Sequence, residues 1–167
     1  AGSSAASDVY KRQSLNTAAM TIETWVWYDS DGREVIVSRY GSGFPTQFNM
    51  LADPNGQFHF NNGGVGAGSG NISGEHFPDK TWHHHVWQYD AVVNTVNRWY
   101  INGAFANSYD AGSSLAVSSS TGFGIFSRAD RAEDWRGKIA IVRIYNRALS
   151  ATEIKNHFEL ERGRFGV

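Results

Sequence analysis

Residues 137–150, GKIAIVRIYNRALS, carry the clearest structural signal in the chain. The segment 138–145 is rich in β-branched and aromatic residues, which suit a pleated and half-buried surface, and it predicts a strand. Ser150 then meets the requirements of a helix N-cap, and Glu153 completes a capping box. This stretch therefore predicts a strand that leads into a helix near the end of the chain.

Apolar spacing after Ser150 supports the helix. Leu149 before the cap and Ile154 after it are placed to form a hydrophobic staple. Ile154 and Phe158 lie one helical turn apart and predict a face that docks on the rest of the domain. Gly163 is expected to end the helix.

Upstream of this stretch, short strands alternate with turns. In residues 20–28, Ile22, Thr24 and Val26 share one face and Glu23 and Trp25 the other. Asn102-Gly103 predicts a tight type I′ turn, because both residues tolerate positive φ. Residues 62–74, rich in Gly and Ser, are interpreted as a surface loop. The remaining predicted strands are 34–39, 44–51, 57–61, 82–89, 97–101, 105–109 and 122–127.

The composition agrees with an all-β protein. Six Trp, seven Tyr, ten Phe and 18 Gly supply strand-forming side chains and the turns between strands. We therefore predict an antiparallel two-sheet β-sandwich, a jelly roll, with a short C-terminal helix. Residues 1–13 are interpreted as a disordered or non-native tail, and residues 14–167 as one domain.

Charge and cysteine content exclude several classes of function. Lys and Arg number 15 against 16 Asp and Glu, so the chain lacks the basic field expected of a nucleic-acid-binding protein. The absence of cysteine excludes disulfides, thiol catalysis and cysteine-based zinc sites. No apolar run approaches the roughly 20 residues of a membrane helix, so we expect no membrane insertion.

Four segments taken in order resemble the motifs of laminin-G-like, concanavalin A-like jelly-roll domains. They are TIETWV at 21–26, WHHHVWQYD at 82–90, WYING at 99–103 and GKIAIVRIYNRALS at 137–150. The resemblance covers about residues 15–160, and its last motif is the most specific. The ending, residues 154–167, is also similar to the C-termini of such domains in bacteriophage structural proteins.

The resemblance implies a binding function. Its members bind glycans or protein partners, often with a structural calcium ion, and some relatives are glycanases. We expect a non-catalytic, lectin-like domain for adhesion or decoration on a phage virion, located outside the cell or on the virion surface. Its partners would be a glycan or polysaccharide, other virion proteins and, in a homo-oligomer, further copies of the chain. The alternatives are a structural assembly module and a glycan hydrolase or lyase.

Catalytic carboxylates are not evident. Glycan hydrolysis requires two carboxyl groups about 5 to 10 Å apart, and Glu23 is the one carboxylate well inside a predicted strand. We therefore expect no enzymatic activity. Of the consecutive histidines, His83 and His85 share one face and His84 the other, so at most two could share a metal. Half-buried strand histidines are the favoured interpretation.

Aromatic side chains are the natural candidates for a sugar site, because their faces stack on the apolar faces of sugars. Trp27 falls on an open face where relatives often carry a polar residue, and Trp87 replaces a small residue of the family pattern. The candidate ligand-binding residues are Trp27, Trp87, Trp99, Arg128, Arg131 and Asn107. Packing between the sheets or under the helix is the alternative for each tryptophan.

Acidic residues suggest a structural calcium site, because calcium prefers six to eight oxygen ligands. The run 128–134 places three carboxylates in one loop, a second loop has two, and one further aspartate ends a strand. The candidate calcium ligands are Asp130, Glu133, Asp134, Asp29, Asp31 and Asp90. Solvated loop acids are the alternative.

Overall fold

The computed structural model describes residues 18–29, 32–39, 48–53, 58–61, 70–71, 80–90, 96–110, 124–126 and 135–167. These ranges contain ten strands and one helix. They are β1 Ala19–Trp27, β2 Glu34–Arg39, β3 Phe48–Ala52, β4 Phe58–Asn61, β5 Gly70–Asn71, β6 Trp82–Asp90, β7 Val96–Ile101, β8 Ala104–Asp110, β9 Gly124–Ile125, β10 Lys138–Tyr145 and the helix α1 Ala151–Phe165.

The strands form two five-stranded antiparallel sheets. Sheet A has the order β10-β1-β6-β7-β8, and sheet B has the order β5-β4-β3-β2-β9. Every strand pair within the sheets is antiparallel. The predicted two-sheet sandwich with one C-terminal helix is therefore confirmed.

The core lies between the two sheets and follows from the alternation along each strand. On β1, Met20, Ile22 and Val26 point inward and are fully buried. Sheet B faces them with aromatic and aliphatic side chains, and Phe48 stacks near Trp87 with ring centroids 6.4 Å apart. Burial of large apolar side chains of this kind contributes about 1.5 to 3 kcal/mol each.

The helix α1 covers the opposite face of sheet A, which we call the outer face. Leu149 and Ile154 pack there with Val86 and Tyr100, as the predicted staple requires. Ser150 and Glu153 form the predicted capping box. The predicted stop at Gly163 is wrong, because the helix continues to Phe165 and ends at Gly166, which has a left-handed φ of 74°.

The turn between β7 and β8 joins the sheet to the helix. Asn102 and Gly103 have φ values of 48° and 75°, as predicted for a type I′ turn. A Cβ atom on Gly103 would lie 3.0 Å from Phe158 of α1. The turn therefore needs glycine both for its backbone conformation and for the close approach of the helix.

Several predicted strand boundaries differ from the structure. The strand predicted at 44–51 is described as Phe48–Ala52, one residue longer at its end, and residues 44–47 lie outside the described ranges. Of the strand predicted at 122–127, the structure describes residues 124–126, in which Gly124–Ile125 is a strand. The segment predicted as a loop at 62–74 contains the short strand β5. The predicted tail at 1–13 lies outside the described residues. In the described part of the chain, no helix is both long enough and apolar enough to span a bilayer.

Candidate functional site

The outer face of sheet A carries two groups of polar and aromatic side chains. Alternation directs Thr21, Glu23, Trp25 and Trp27 of β1 toward this face, because their neighbours in sequence point into the core. Glu23 lies near the middle of β1, and Trp27 is its last residue. The two groups are therefore separated along the strand.

Glu23 is the centre of a polar network under the helix. It is fully buried, and its Oε1 accepts a hydrogen bond of 2.9 Å from Nη1 of Arg143. His84 Nε2 lies 3.1 Å from the same oxygen. The Tyr145 hydroxyl donates to Oε2 over 3.0 Å, and His157 Nδ1 lies 3.0 Å from Oε2. Strands β1, β6 and β10 and the helix thus all meet at one carboxylate.

A second carboxylate extends this network along the helix. Glu161 accepts hydrogen bonds from both terminal nitrogens of Arg143 and a 2.7 Å bond from the indole nitrogen of Trp25. Arg143 therefore bridges Glu23 and Glu161. Trp25 is buried beneath α1, where it stacks on Phe158 and Phe165 at centroid distances of 5.8 and 4.1 Å.

The network holds Glu23 in its ionised form. Burial by itself would raise the pKa of Glu23, but hydrogen bonds and charge from His84 and His157 outweigh burial and lower this pKa from 4.5 to about 2. Burial, together with the charge and hydrogen bond of Glu23, raises the pKa of Tyr145 to about 12. A glycosidase acid needs a raised pKa and access to the substrate, and Glu23 has neither. The network is suited to fastening the helix to sheet A.

The second group is a row of side chains at the end of β1. Lys138 of β10, Trp27 of β1 and Trp82 of β6 occupy one register position across three adjacent strands. Directly opposed side chains on antiparallel strands point to the same face, with Cβ atoms about 5 Å apart. We call these three residues the Trp27–Trp82 row. Both indoles are half-buried and therefore partly accessible to a ligand.

Two contacts characterise the row. The Nζ of Lys138 lies 4.3 Å from the centroid of the Trp27 ring, which is cation–π distance. Phe165, at the end of α1, lies 5.0 Å from the ring of Trp82. The row is therefore an amphipathic surface of aromatic rings with a cation at one side.

Glycine at position 137 allows the row to form. A Cβ atom on Gly137 would lie 2.0 Å from the backbone oxygen of Trp27 and 2.8 Å from Nε1 of Trp135. The start of β10 can therefore approach β1 this closely only without a side chain. This approach sets Lys138 opposite Trp27.

Of the three predicted ligand-binding tryptophans, the structure leaves one partly accessible and buries two. Trp27 is half-buried on the outer face and retains its candidate role. Trp87 and Trp99 are fully buried between the sheets, where Trp87 donates to Asn97 and Trp99 donates to His85 Nδ1. Their proposed contact with a ligand is corrected to packing in the core, because no ring face is accessible.

The predicted hydrogen-bonding residues do not join Trp27. Asn107 is exposed, but it lies on β8, three strands from β1 and hence about 14 Å away across the sheet. It is also opposed to Trp99, which points to the core side of sheet A. Arg128 and Arg131 lie outside the described residues.

The described acids do not fit one calcium site. Asp29 follows the C-terminal end of β1 and pairs with Lys80 at 3.6 Å, whereas Asp90 is opposed to Ala19 at the other end. The nine residues of β1 separate them by about 27 Å. Among the described residues, no group of three His, Asp or Glu side chains is arranged to hold a metal ion. The other predicted ligands, Asp31, Asp130, Glu133 and Asp134, lie outside the described ranges.

The histidine faces agree with the alternation of β6. His85 lies in the core between Phe58 and Trp99, and His84 lies on the outer face against Trp25. Burial, with the charges of His83 and His84, places the pKa of His85 well below its usual value. His85 is therefore a neutral core residue that accepts the Trp99 hydrogen bond.

Sequence reasoning missed Trp82, Lys138 and Phe165 as members of the candidate site. Trp82 alternates with His84, so its face was recognisable, but its position beside Trp27 depends on the register between β1 and β6. Phe165 was missed because the helix was expected to end at Gly163. The signal for Trp82 was a second tryptophan at a strand end.

The two antiparallel sheets and the terminal helix define the protein as a jelly-roll β-sandwich. The chain belongs to the concanavalin A-like lectin/glucanases superfamily, whose laminin-G model matches residues 1–155. A comparison with curated proteins finds no match.

Solved structures share the fold at low sequence identity. A candidate carbohydrate-binding protein from Bacteroides ovatus has a TM-score of 0.67 and 17% identity, over 85% of this chain and 42% of that one. A heptameric SAP-like pentraxin from Limulus polyphemus has a TM-score of 0.61 and 17% identity, over 83% of this chain and 69% of the pentraxin chain. Trypanosoma rangeli sialidase has a TM-score of 0.62 and 18% identity, over 88% of this chain and 23% of the sialidase chain. The chain thus spans less than half the length of the Bacteroides ovatus protein and about a quarter of the length of the sialidase.

Proposed function

We propose that the protein is a non-catalytic, lectin-like domain that binds a glycan at the Trp27–Trp82 row. The observation that carries the proposal is the placement of two partly accessible indoles side by side at one end of the outer face. Indole rings bury the apolar faces of sugars, and a few polar groups beside them fix the orientation. The family membership and the Bacteroides ovatus relative support a carbohydrate ligand.

The proposal assigns no catalysis to this domain. What supports it is the state of Glu23, which is buried, ionised and occupied by four donor groups. Wild-type protein is expected to release no sugar from a broad polysaccharide panel. Turnover that disappears in Glu23→Gln, with the fold intact, would contradict this assignment.

An assembly role is the second candidate. Among the strands that the structure describes, β8 and β9 each lie at an edge of a sheet. Phe105 on β8 is 58% exposed, and Ile125 on β9 is 43% exposed. Apolar side chains on unpaired strand edges favour contacts with other protein subunits. The virion or extracellular setting rests on the resemblance of residues 154–167 to phage domains, and it stays a prediction.

A glycan array tests the glycan proposal. Wild-type, Trp27→Ala and Trp82→Ala proteins are screened with and without calcium, and each hit is measured by titration calorimetry. We expect each variant to lose about tenfold in affinity, since loss of an aromatic contact costs about 1 kcal/mol or more. Leu160→Ser, which changes an apolar residue 83% exposed on α1, is the control.

Two results would reject the proposal. The first is no glycan binding by the wild-type protein in either condition. The second is binding that both tryptophan variants retain at full affinity. Near-ultraviolet circular dichroism of each variant establishes that the fold is intact, so a loss of binding is not a loss of structure.

A further inference from the structure

We infer that the glycan bound at the Trp27–Trp82 row carries anionic groups, either carboxylates or sulfates. This inference rests on the proposed function and specifies the class of ligand. It comes from the distribution of charge around the row. The chain as a whole has a formal net charge of −1, whereas the described charged residue within the row is a cation, Lys138.

Lys138 supplies the first positive charge. Its side chain is exposed, and its ammonium lies over the Trp27 ring. Among the residues that the structure describes, no carboxylate lies within salt-bridge distance of it. An exposed cation–π contact is weak, so the flexible lysine stem can redirect the ammonium to an anion on a bound sugar at small cost.

Arg164 supplies the second. Its guanidinium lies 5.5 Å from the centroid of Phe165, and that ring lies 5.0 Å from Trp82. In the described ranges Arg164 also has no carboxylate partner. Lys138 is therefore a member of the row, and Arg164 lies next to Phe165, the ring that contacts Trp82.

The described carboxylates closest along the chain do not neutralise these cations. Asp29, two residues after Trp27, pairs with Lys80, which itself lies two residues before Trp82. Glu161 accepts from Arg143 and Trp25. Among the described residues, one cation, Lys138, thus lies beside Trp27 and a second, Arg164, lies next to Phe165, and neither is paired with a described carboxylate. Such cations complement a sugar with an apolar face and an anionic substituent.

The test compares three polysaccharide arms of matched length with the wild-type protein. One arm is a neutral glucan, one is a polyuronate, and one is a sulfated glucan. We expect either or both anionic arms to bind at least tenfold more tightly than the neutral arm in 50 mM salt. We also expect the difference to shrink in 300 mM salt, because salt screens exposed charges.

Matched variants locate the effect. Lys138→Met keeps the apolar stem against Trp27 and removes the charge, and Arg164→Gln does the same beside Phe165. Each is expected to weaken binding of the anionic arms about fivefold, and to weaken binding of the neutral arm by much less. Lys155→Met removes a charge from an exposed position elsewhere on α1 and should leave all three arms unchanged.

The outcomes separate the inference from the proposed function. Equal or tighter binding of the neutral arm, lost in Trp82→Ala, overturns the inference and leaves the glycan-binding proposal standing. Equal loss in Lys155→Met and Lys138→Met also overturns the inference, because it shows non-specific attraction. Binding of no arm rejects the proposed function and the inference together.

Discussion

A single residue, Glu23, shows how a buried charge is made tolerable in this fold. An ionised carboxylate is costly to bury unless its oxygens are hydrogen-bonded and its charge is paired. Glu23 meets both conditions through Arg143, Tyr145 and two histidines. The same contacts lower its pKa to about 2, so the carboxylate stays charged at any ordinary pH.

Glu23→Gln is expected to destabilise the protein by about 3 kcal/mol, because it leaves Arg143 and the neighbouring donors with a neutral partner. The pKa of Glu23 is lower in the folded state, so its contribution is present above about pH 4.5 and is lost as the pH falls toward 2. Urea denaturation at several pH values between 3 and 7 measures both effects.

The matched control is Glu159→Gln, which alters a half-exposed helix carboxylate paired with Arg162. This change should shift stability by less than about 0.5 kcal/mol. Equal pH dependence in wild-type and Glu23→Gln proteins below pH 4.5 would show that Glu23 does not have the lowered pKa.

At the scale of elements, the contact between the β7–β8 turn and α1 depends on one glycine. Gly103 combines a left-handed backbone with a Cβ position that Phe158 nearly occupies. By contrast, Gly163 lies inside the helix with nothing within 4 Å of its Cβ position. The two glycines therefore have opposite expected responses to alanine.

Gly103→Ala should lower the free energy of unfolding by about 1 to 2 kcal/mol, from strain at positive φ and crowding against Phe158. Gly163→Ala should raise it by up to about 1 kcal/mol, since alanine favours the helix interior. Thermal and urea denaturation of both variants measure the difference. Stabilisation of the Gly103→Ala protein would mean that the turn relaxes without the left-handed conformation.

The elements also show what sequence reasoning captures. Period-two alternation predicted the faces of β1 and β6, and local chemistry predicted the capping box and the type I′ turn. The helix end was missed because propensity placed the stop at Gly163, whereas stacking of Phe165 on Trp25 accompanies two further helical residues. Tertiary packing outweighs the modest cost of glycine within a helix.

The candidate site was also harder to predict from the sequence, because its exposure depends on tertiary packing. Alternation separates the two faces of a strand but does not say which face another sheet will cover. The sequence therefore provided no reason to prefer Trp27 over Trp87 as a ligand-binding residue, although Trp27 is half-buried and Trp87 lies in the core. The row itself depends on pairings between strands that are far apart in the chain.

At the scale of the whole molecule, a structural calcium ion stays a prediction. The described acids do not form a site, so any calcium site we expect would draw on Asp31, Asp130, Glu133 and Asp134. Millimolar calcium should then raise the melting temperature by a few degrees, and a chelator should reverse the rise. Equal melting curves with calcium, with chelator and with magnesium would show that no calcium ion stabilises the protein.

The pairing of β1 with β10 has a consequence for how the protein is made. Glu23 and Arg143 lie 120 residues apart, yet they meet across neighbouring strands. A ribosome adding about 5 to 20 residues per second takes roughly 6 to 24 s to synthesise that interval. During this interval β10 has not yet been synthesised, so the edge of β1 that pairs with β10 is unpaired in the nascent chain. Chaperones that shield apolar strand edges during translation are therefore expected to raise the yield of this domain more than its modest size would suggest.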